Sequence, residues 1–340
     1  MYQPLGIGNP KLMAMRAFRK FMIRALLLGI AAFLIVPMVI PFESSGTQTN
    51  VQAAGVGAEF ATVNGLQVHI ATEAYSGLSK GDVPLFILLH GFGASTHSWR
   101  FVMNSLSSQG DVLAYDRPGF GYTERPTSWK GANPYGFEGN FELISGLIAK
   151  YGNGQEIILV GHSAGGQIAA EYARVNPTKV QRLILVDPAI YTTGTGGSWI
   201  NALRVIPQVD RLGPFLVRGV ASSGKDLLQR SYYDKAQLTD EVSEGYFKPL
   251  QIKGWERAFW EFSTAPRDNK LVENLTNITQ PTLLITGKYD VVVPTADTKK
   301  LATVIKDNRL VVVDKSGHLP QEEQPGVFSD AVIKWVKATN

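Results

Sequence analysis

The chain has 340 residues and no cysteine. This length accommodates one large α/β domain with an insertion or two modest domains, and the lack of cysteine excludes disulfides and thiol chemistry. The formal net charge is +4, but five cations and one anion within the first 45 residues supply it, and the remainder carries 28 basic and 28 acidic residues. This balance argues against a nucleic-acid partner.

The N-terminus combines a basic segment, residues 1–24, with an uncharged apolar run over residues 25–42. The run is just long enough to cross a hydrocarbon core as a helix. It exceeds the usual signal-peptide core, and the small-residue cleavage candidate near Ala53 lies well beyond its end. We therefore predict an uncleaved transmembrane anchor, with a cleaved signal sequence as the alternative. The positive-inside rule places residues 1–24 in the cytoplasm and the rest of the chain outside it.

Residues 43–58 are rich in Ser, Gly, Thr, Gln and Ala, which is typical of a flexible linker. A folded domain is expected over residues 59–340. Short apolar runs there predict eight strands: Phe60–Val63, Gln67–Ala71, Leu85–Leu89, Val112–Tyr115, Ile157–Val160, Leu183–Val186, Leu283–Thr286 and Leu310–Val313. The central runs are apolar throughout, and helix-length segments follow several of them. These features predict an α/β class with a mainly parallel eight-stranded sheet and helices on both faces.

The strand-like apolar runs do not recur for roughly 90 residues between Asp187 and Pro281. A structureless loop of that length is uncommon in a compact domain. The segment is also rich in large apolar side chains, among them Trp199, Trp255 and Phe259. We predict a helical lid at about residues 189–280, inserted after the sixth strand.

The pattern Gly161-His162-Ser163-Ala164-Gly165 follows the fifth apolar run and precedes a helix-like stretch. A serine hydroxyl becomes an effective nucleophile when a sharp strand-to-helix turn exposes it to a base. Glycines on both sides make this turn feasible, because a Cβ at either position would crowd the neighbouring strand and helix. The pattern therefore predicts a nucleophile at Ser163.

A serine nucleophile needs a base and an acid that orients the base. Of the five histidines, only His318 follows the acid in the chain order Ser, Asp, His, and it lies in a glycine-containing loop after the last strand. The favoured acid is Asp290, directly after the seventh strand. Asp187, at the end of the sixth strand, and Asp314, just before the histidine loop, are its rivals.

Acyl transfer also requires backbone donors for an oxyanion. We expect one from Ala164, at the start of the helix after the serine, and one from Phe92, in the His90-Gly91-Phe92-Gly93 loop after the third strand. The segment Asp116–Gly121 has the composition of a turn, with Asp116 capping backbone groups. No metal-ligand spacing and no phosphate-binding glycine loop occurs, so neither a metal nor another cofactor is expected.

Over nearly all of residues 59–340 the chain resembles the α/β-hydrolase superfamily, in its serine esterase-like form. The resemblance rests on HGFG at His90, DRPGFG at Asp116, GHSAGG at Gly161, GKYDVVVP at Gly287 and SGHLPQEEQP at Ser316. It implies the α/β-hydrolase fold and a serine hydrolase whose acyl-enzyme is released by water. Haloalkane dehalogenases and epoxide hydrolases are similar elsewhere but carry Asp at the elbow, so Ser163 argues against their reactions.

The substrate must be argued from the lid, because the fold and the triad do not name it. Aromatic and aliphatic lid residues would line an apolar pocket, and a tethered domain meets lipid-like molecules at the bilayer. We therefore expect a small hydrophobic ester, although the same aromatics would also serve to pack the lid onto the core. Two alternatives remain. One is a C–C bond hydrolase, acyltransferase or perhydrolase with the same triad; the other is a catalytically silent ligand-binding protein. The sequence leaves the oligomeric state open.

Overall fold

The computed structural model describes residues 10–41, 43–78, 82–191, 204–266 and 270–339. Its centre is one eight-stranded sheet in the order β1-β2-β4-β3-β5-β6-β7-β8. The strands are β1 Glu59–Val63, β2 Leu66–Glu73, β3 Leu85–Leu89, β4 Asp111–Tyr115, β5 Ile157–His162, β6 Arg182–Val186, β7 Thr282–Gly287 and β8 Asn308–Val313. Strand β2 pairs antiparallel with β1 and β4, and the other neighbours are parallel. The predicted fold class is confirmed.

Helices cover both faces of this sheet. The helices are α1 Pro10–Val39, α2 Asn50–Ala54, α3 Met103–Leu106, α4 Phe137–Tyr151, α5 Ala164–Val175, α6 Pro207–Val217, α7 Val220–Ser231, α8 Asp240–Phe247, α9 Trp255–Thr264, α10 Thr295–Ala302, α11 Pro320–Glu323 and α12 Pro325–Ala338. Side chains of β5 alternate between two cores: Ile157 and Leu159 pack with α4 and α5, while Ile158 and Val160 pack with α3 and α12. A strand buried on both faces is therefore apolar throughout.

The parallel register brings four loops to one edge of the sheet. His162 at the end of β5 pairs with Val186 of β6, and Val186 pairs with Ile285 of β7. The end of β7 pairs in turn with Val313, the last residue of β8. The loops that follow these strands therefore start side by side, at the carboxyl edge where open α/β sheets place their ligands.

The connection from β6 to β7 contains helices α6 to α9. This is the region predicted as a lid, of which residues 192–203 and 267–269 lie outside the described residues. The aromatic Trp199 falls in the first of these gaps. Helix α9 contributes Trp255, Ala258 and Trp260 to the buried apolar residues, so this helix packs onto the domain by its apolar face.

The segment predicted as a linker is bonded to this insertion. The buried Glu256 carboxylate accepts hydrogen bonds from the Ser44 hydroxyl at 2.6 Å and from the backbone N–H and the hydroxyl of Ser45, both at 2.7 Å. The indole N–H of Trp255 donates to the Ser45 hydroxyl at 2.9 Å. Here the structure differs from a flexible linker, because serines that look like spacer residues in the sequence satisfy a buried carboxylate.

Helix α1 has 30 residues, so it is about 45 Å long. Its most apolar window has a mean hydropathy of 2.4, and only 6% of that window is buried. Length and composition permit this helix to cross a membrane, and they fit a signal sequence equally well.

The close packing of the β5–α5 turn can be tested at Gly165. A Cβ built there would lie 2.5 Å from the carbonyl oxygens of both Leu89 and His90. Because these are backbone atoms of the central sheet, Gly165→Ala should lower the free energy of unfolding by about 1–3 kcal/mol, measured by chemical denaturation of the full chain in detergent. Gly326→Ala in α12 is the control, since its Cβ would meet no described atom within 4 Å. Equal losses in both variants would contradict the steric argument.

Candidate active site

Ser163 occupies the turn between β5 and α5 in a strained backbone conformation. Its φ is 51° and its ψ is −119°, a region that residues with a Cβ seldom adopt. Four hydrogen bonds hold the turn: the Ser163 N–H donates to Val186 O at 2.9 Å, and its carbonyl accepts from Gly166 at 2.9 Å, Ala189 at 3.0 Å and Gln167 at 3.2 Å. The strain is thus maintained by the surrounding backbone.

His318 and Asp290 form a direct hydrogen bond. The distance between His318 Nδ1 and Asp290 Oδ2 is 2.6 Å, and both side chains are buried. The other oxygen of Asp290 accepts the backbone N–H groups of Val292 at 2.7 Å and Val293 at 3.0 Å. Asp290 thus accepts three N–H groups, and its hydrogen bond with the ring fixes the proton of His318 on Nδ1. The Nε2 atom of His318 is then an acceptor.

The two rival aspartates have other partners. Asp314 is exposed and pairs with Lys288 Nζ at 2.9 Å. Asp187 is fully buried and accepts the Thr286 hydroxyl at 2.6 Å and the Gly287 N–H at 3.1 Å. Of the three acids, Asp290 is therefore the one that binds the His318 ring.

His162 and His90 have structural roles beside the serine. The Nε2–H of His162 donates to the His318 carbonyl at 2.8 Å. Burial, followed by the nearby His318, lowers the pKa of His162 well below its ordinary value, so it is neutral. Burial and then the Arg117 guanidinium lower the pKa of His90 to about 3. The neutral His90 ring accepts the Arg117 N–H at 2.9 Å and donates to Gly91 O at 2.8 Å.

The loop after β3 is held against the serine. Gly91 O also accepts the Arg117 guanidinium at 3.0 Å, and a Cβ at Gly91 would lie 3.1 Å from the Cβ of Ser163. Asp116 is buried and accepts the N–H groups of Thr96 at 2.6 Å and Tyr122 at 2.7 Å, as the composition of its turn predicts. These bonds fix the backbone that leads from Gly91 into Phe92.

The two predicted oxyanion donors come from different segments of the chain. Phe92 belongs to the loop after β3, and Ala164 directly follows Ser163. Ala164 is the first residue of α5, so its N–H belongs to the helix N-terminus, where the first four N–H groups have no intrahelical acceptor. The side chain of Phe92 lines the same cavity as Ser163 and contacts Phe120, Phe259 and Phe262, with ring centroids 5.7 to 5.9 Å apart.

The histidine loop is bound to the insertion through a residue that the sequence analysis did not assign. The His318 N–H donates to Ser231 O at 2.7 Å. Glu323 accepts three backbone N–H groups, from Gly317 at 2.6 Å, Tyr233 at 2.7 Å and Asp234 at 3.0 Å. One carboxylate therefore joins the loop of His318 to the end of α7. No sequence signal distinguishes this glutamate from a surface residue except its place five residues after the histidine.

The adjacent Glu322 makes a second connection. Its fully buried carboxylate accepts Arg100 Nη1 and the Tyr232 hydroxyl, both at 2.7 Å, and also the Tyr246 hydroxyl. Burial raises the pKa of Glu322, opposed by the Arg100 charge. Because Tyr246 lines the cavity, this network connects the cavity wall to the segments that follow β3 and β8.

The cavity above Ser163 has a volume of about 190 Å³. Its lining combines the site residues Ser163, His162 and His318 with apolar side chains of the insertion, namely Leu227, Leu228, Phe247, Leu250, Trp255 and Phe259. In the described part of the chain the lining includes no Lys, Arg, Asp or Glu. Such a surface accommodates an uncharged, apolar group.

A carboxylate oxygen each from Asp187 and Asp290 and a ring nitrogen of His318 lie within 4.8 Å of one another. These are atom types that bind metal ions, but Nδ1 of His318 already donates to Asp290. The cluster is accounted for as a hydrogen-bonded acid–base group, and the absence of a metal stays a prediction.

Comparison with known proteins places the chain in a family. A family model described as alpha/beta hydrolase fold matches residues 84–325. The chain belongs to this family. It is 27% identical over 261 residues to 2-hydroxy-6-oxo-2,4-heptadienoate hydrolase of Pseudomonas putida, covering 74% of this chain and 88% of the relative. It is 25% identical over 249 residues to monoacylglycerol lipase abhd6-A of Xenopus laevis, covering 72% and 73%.

The fold is also that of a solved membrane phospholipase A described as a bacterial virulence factor. The TM-score is 0.62 at 21% identity, and the match covers 95% of this chain and 98% of the other. At this identity the likeness establishes the fold alone. Together the comparisons identify an α/β-fold hydrolase and leave its bond type and substrate open.

The connection through Glu323 can be tested by Glu323→Gln. The substitution replaces one acceptor oxygen by an NH₂ group that faces backbone N–H donors, so the free energy of unfolding should fall by about 1–3 kcal/mol. Denaturation of the full chain and limited proteolysis of the insertion would measure the change. Glu142→Gln, at an exposed position of α4, is the control. Indistinguishable variants would show that Glu323 does not hold the insertion.

Proposed function

We propose that this protein is a serine hydrolase that cleaves a carboxylic ester of a hydrophobic acyl group. The observation that carries the proposal is the common cavity of Ser163 and His318, with His318 bonded to Asp290 at 2.6 Å. Ser163 is the proposed nucleophile, His318 the general base and Asp290 the acid that orients it.

In the proposed mechanism, His318 Nε2 accepts the proton of the Ser163 hydroxyl as its oxygen attacks the ester carbonyl. The N–H groups of Phe92 and Ala164 stabilise the resulting oxyanion, a contribution of about 10²- to 10³-fold in rate per donor. His318 then protonates the leaving alcohol, and water releases the acyl group by the same route. Among the described residues no hydrogen bond joins Ser163 to His318; such bonds often form only in the substrate complex.

The cavity supports an acyl group of modest size. Its volume of about 190 Å³ lies below the roughly 300–1,000 Å³ typical of drug-sized ligand pockets. Apolar walls favour an alkyl or aryl chain, and burying such a chain contributes about 25 cal/mol per Å² of apolar surface. We therefore propose short or medium acyl esters.

A C–C bond hydrolase is the second candidate, favoured by the similarity to 2-hydroxy-6-oxo-2,4-heptadienoate hydrolase. The substrate in the name of that protein carries a carboxylate, which a site binds with a cation or a set of donors. No Lys or Arg is found among the described lining residues, so the uncharged ester is the better fit. Acyltransfer, perhydrolysis and catalytically silent binding remain further alternatives.

We also propose that α1 anchors the protein in a membrane, with the catalytic domain outside the cytoplasm. Five cations within residues 11–24 precede the apolar run. Ser45, which bonds the cavity-lining Trp255, lies only six residues after Val39, the end of α1. Six residues span at most about 22 Å, so the cavity lies near the bilayer surface, where apolar esters concentrate.

The central prediction concerns Ser163. Ser163→Ala should lower kcat on the best ester by on the order of 10⁶-fold, because the serine, histidine and acid act as a unit. Wild-type protein should be labelled by a fluorophosphonate probe, with the adduct on Ser163 by mass spectrometry, and the alanine variant should not. Ser108→Ala provides a control, because Ser108 is half-buried in a turn and its hydroxyl donates to the Ser105 carbonyl at 2.7 Å. A folded wild-type protein that resists labelling would favour the silent alternative.

Two panels of substrates distinguish ester hydrolysis from C–C bond hydrolysis. We expect turnover of p-nitrophenyl esters with a maximum at short or medium acyl chains, and weak turnover of vinylogous 1,5-diketone acids. The measured quantity is kcat/KM for each compound. Cleavage of the diketones with no ester activity at any chain length would replace the ester proposal by the C–C alternative.

The absence of native cysteine permits a clean test of topology. In intact cells a membrane-impermeant maleimide should label Asp330→Cys on the exposed face of α12 but leave Met13→Cys in the basic segment unlabelled. Both variants should remain in the membrane fraction after an alkaline wash. The reverse labelling pattern would contradict the orientation, and loss of the N-terminal segment from secreted protein would favour a cleaved signal.

A further inference from the structure

Asp187 has no role in the mechanism above, although it is among the most buried polar residues of the chain. Its exposed fraction is 0%, and its φ of 42° places a non-glycine residue in the left-handed region. The Asp187 N–H donates to Ile285 O at 2.9 Å, so the turn after β6 is held in this conformation by β7. A strained backbone at a buried acid indicates that the surrounding structure fixes the position of this residue.

The carboxyl group of Asp187 lies beside that of Asp290. Its Oδ1 accepts the Thr286 hydroxyl at 2.6 Å and the Gly287 N–H at 3.1 Å. A carboxylate oxygen of Asp187 lies within 4.8 Å of one of Asp290 and of a ring nitrogen of His318. No Lys or Arg side chain bonds Asp187 among the described residues. The titratable groups around it are therefore Asp290 and His318, with His162 behind His318.

Two buried carboxyl groups within this distance disfavour each other's ionisation. Asp290 accepts three N–H groups, two from the backbone and one from His318. Asp187 accepts only one N–H and one hydroxyl, so the proton is placed on Asp187. Burial, and then the charge of Asp290, raises the pKa of Asp187 well above its ordinary value.

We propose that Asp187 is a positioning residue that is protonated at neutral pH and donates a hydrogen bond to the Asp290 carboxylate. The bond holds Asp290 toward His318 and spreads the negative charge over two carboxyl groups that share one proton. This inference rests on the proposed function for its kinetic consequences, because Asp187 acts through Asp290 and not on the substrate.

The kinetic test compares two substitutions in the full chain. Asp187→Asn keeps a donor toward Asp290 and an acceptor toward Thr286, and it is neutral at every pH. Its kcat should stay within about 3-fold of wild type, with the acidic limb of the kcat/KM profile, which reports the free enzyme's base, unmoved. Asp187→Ala removes the donor and should lower kcat by about 10- to 100-fold with little change in KM. Asp330→Ala, at an exposed site, controls for loss of an aspartate.

The opposite protonation state predicts a different profile. If Asp187 were ionised, Asp187→Asn would remove a buried negative charge near His318 and shift the acidic limb to lower pH by about one unit or more. That shift would overturn the proposal. So would an alanine variant with wild-type kcat, or an asparagine variant as impaired as the alanine variant.

An infrared measurement tests the proposal without activity. The difference spectrum of wild type minus Asp187→Asn at neutral pH should contain the carbonyl stretch of a protonated carboxyl group. A spectrum with only carboxylate bands would overturn the proposal. If the proteins turn over no ester and resist fluorophosphonate labelling while the protonated band is present, the proposed function fails and the protonation of Asp187 stands.

Discussion

The candidate site depends on the register of the parallel strands β5, β6, β7 and β8. Parallel pairing aligns their carboxyl ends, so one edge of the sheet receives Ser163, Asp187, Asp290 and His318 from loops that span about half of the chain. Each loop is then adjusted by local bonds: the strained turn at Ser163, the backbone donors to Asp290 and the hydrogen bond from His162 to the His318 carbonyl. A shift in register would move a whole loop, which no side-chain adjustment could compensate.

The site also contains several buried ionisable groups. Among its acidic and basic groups, His162 and His90 have lowered pKa values because burial disfavours their charged forms, whereas Asp290 has donors that stabilise an anion. The carboxyl group of Asp290 therefore faces the ring of His318, and the two other histidines of the site are neutral. This arrangement suits a base that must become an imidazolium during a reaction and return to neutrality afterwards.

The insertion lines the cavity and is also bonded to two other parts of the chain. Through Glu322 and Glu323 it is bonded to the segment that carries His318, and through Trp255 and Glu256 it is bonded to Ser44 and Ser45. The residues that define the apolar cavity are thus connected to His318 on one side and to the segment after α1 on the other. Changes in the insertion are therefore expected to affect the position of His318 as well as the shape of the apolar cavity.

The sequence by itself determined the eight-stranded α/β fold, because strands buried on both faces must be apolar throughout. It also determined the sharp turn at Ser163, because glycines are required where that turn meets β3. It also singled out His318, whereas Asp290 and Asp187 remained rivals, since each follows a strand that ends at the same edge. Only the tertiary structure showed that Asp290 bonds His318 and that Asp187 lies behind it. It likewise decided the roles of Glu322, Glu323 and the serines after α1. The partner of a polar side chain becomes known only when the fold brings together residues as much as 222 positions apart.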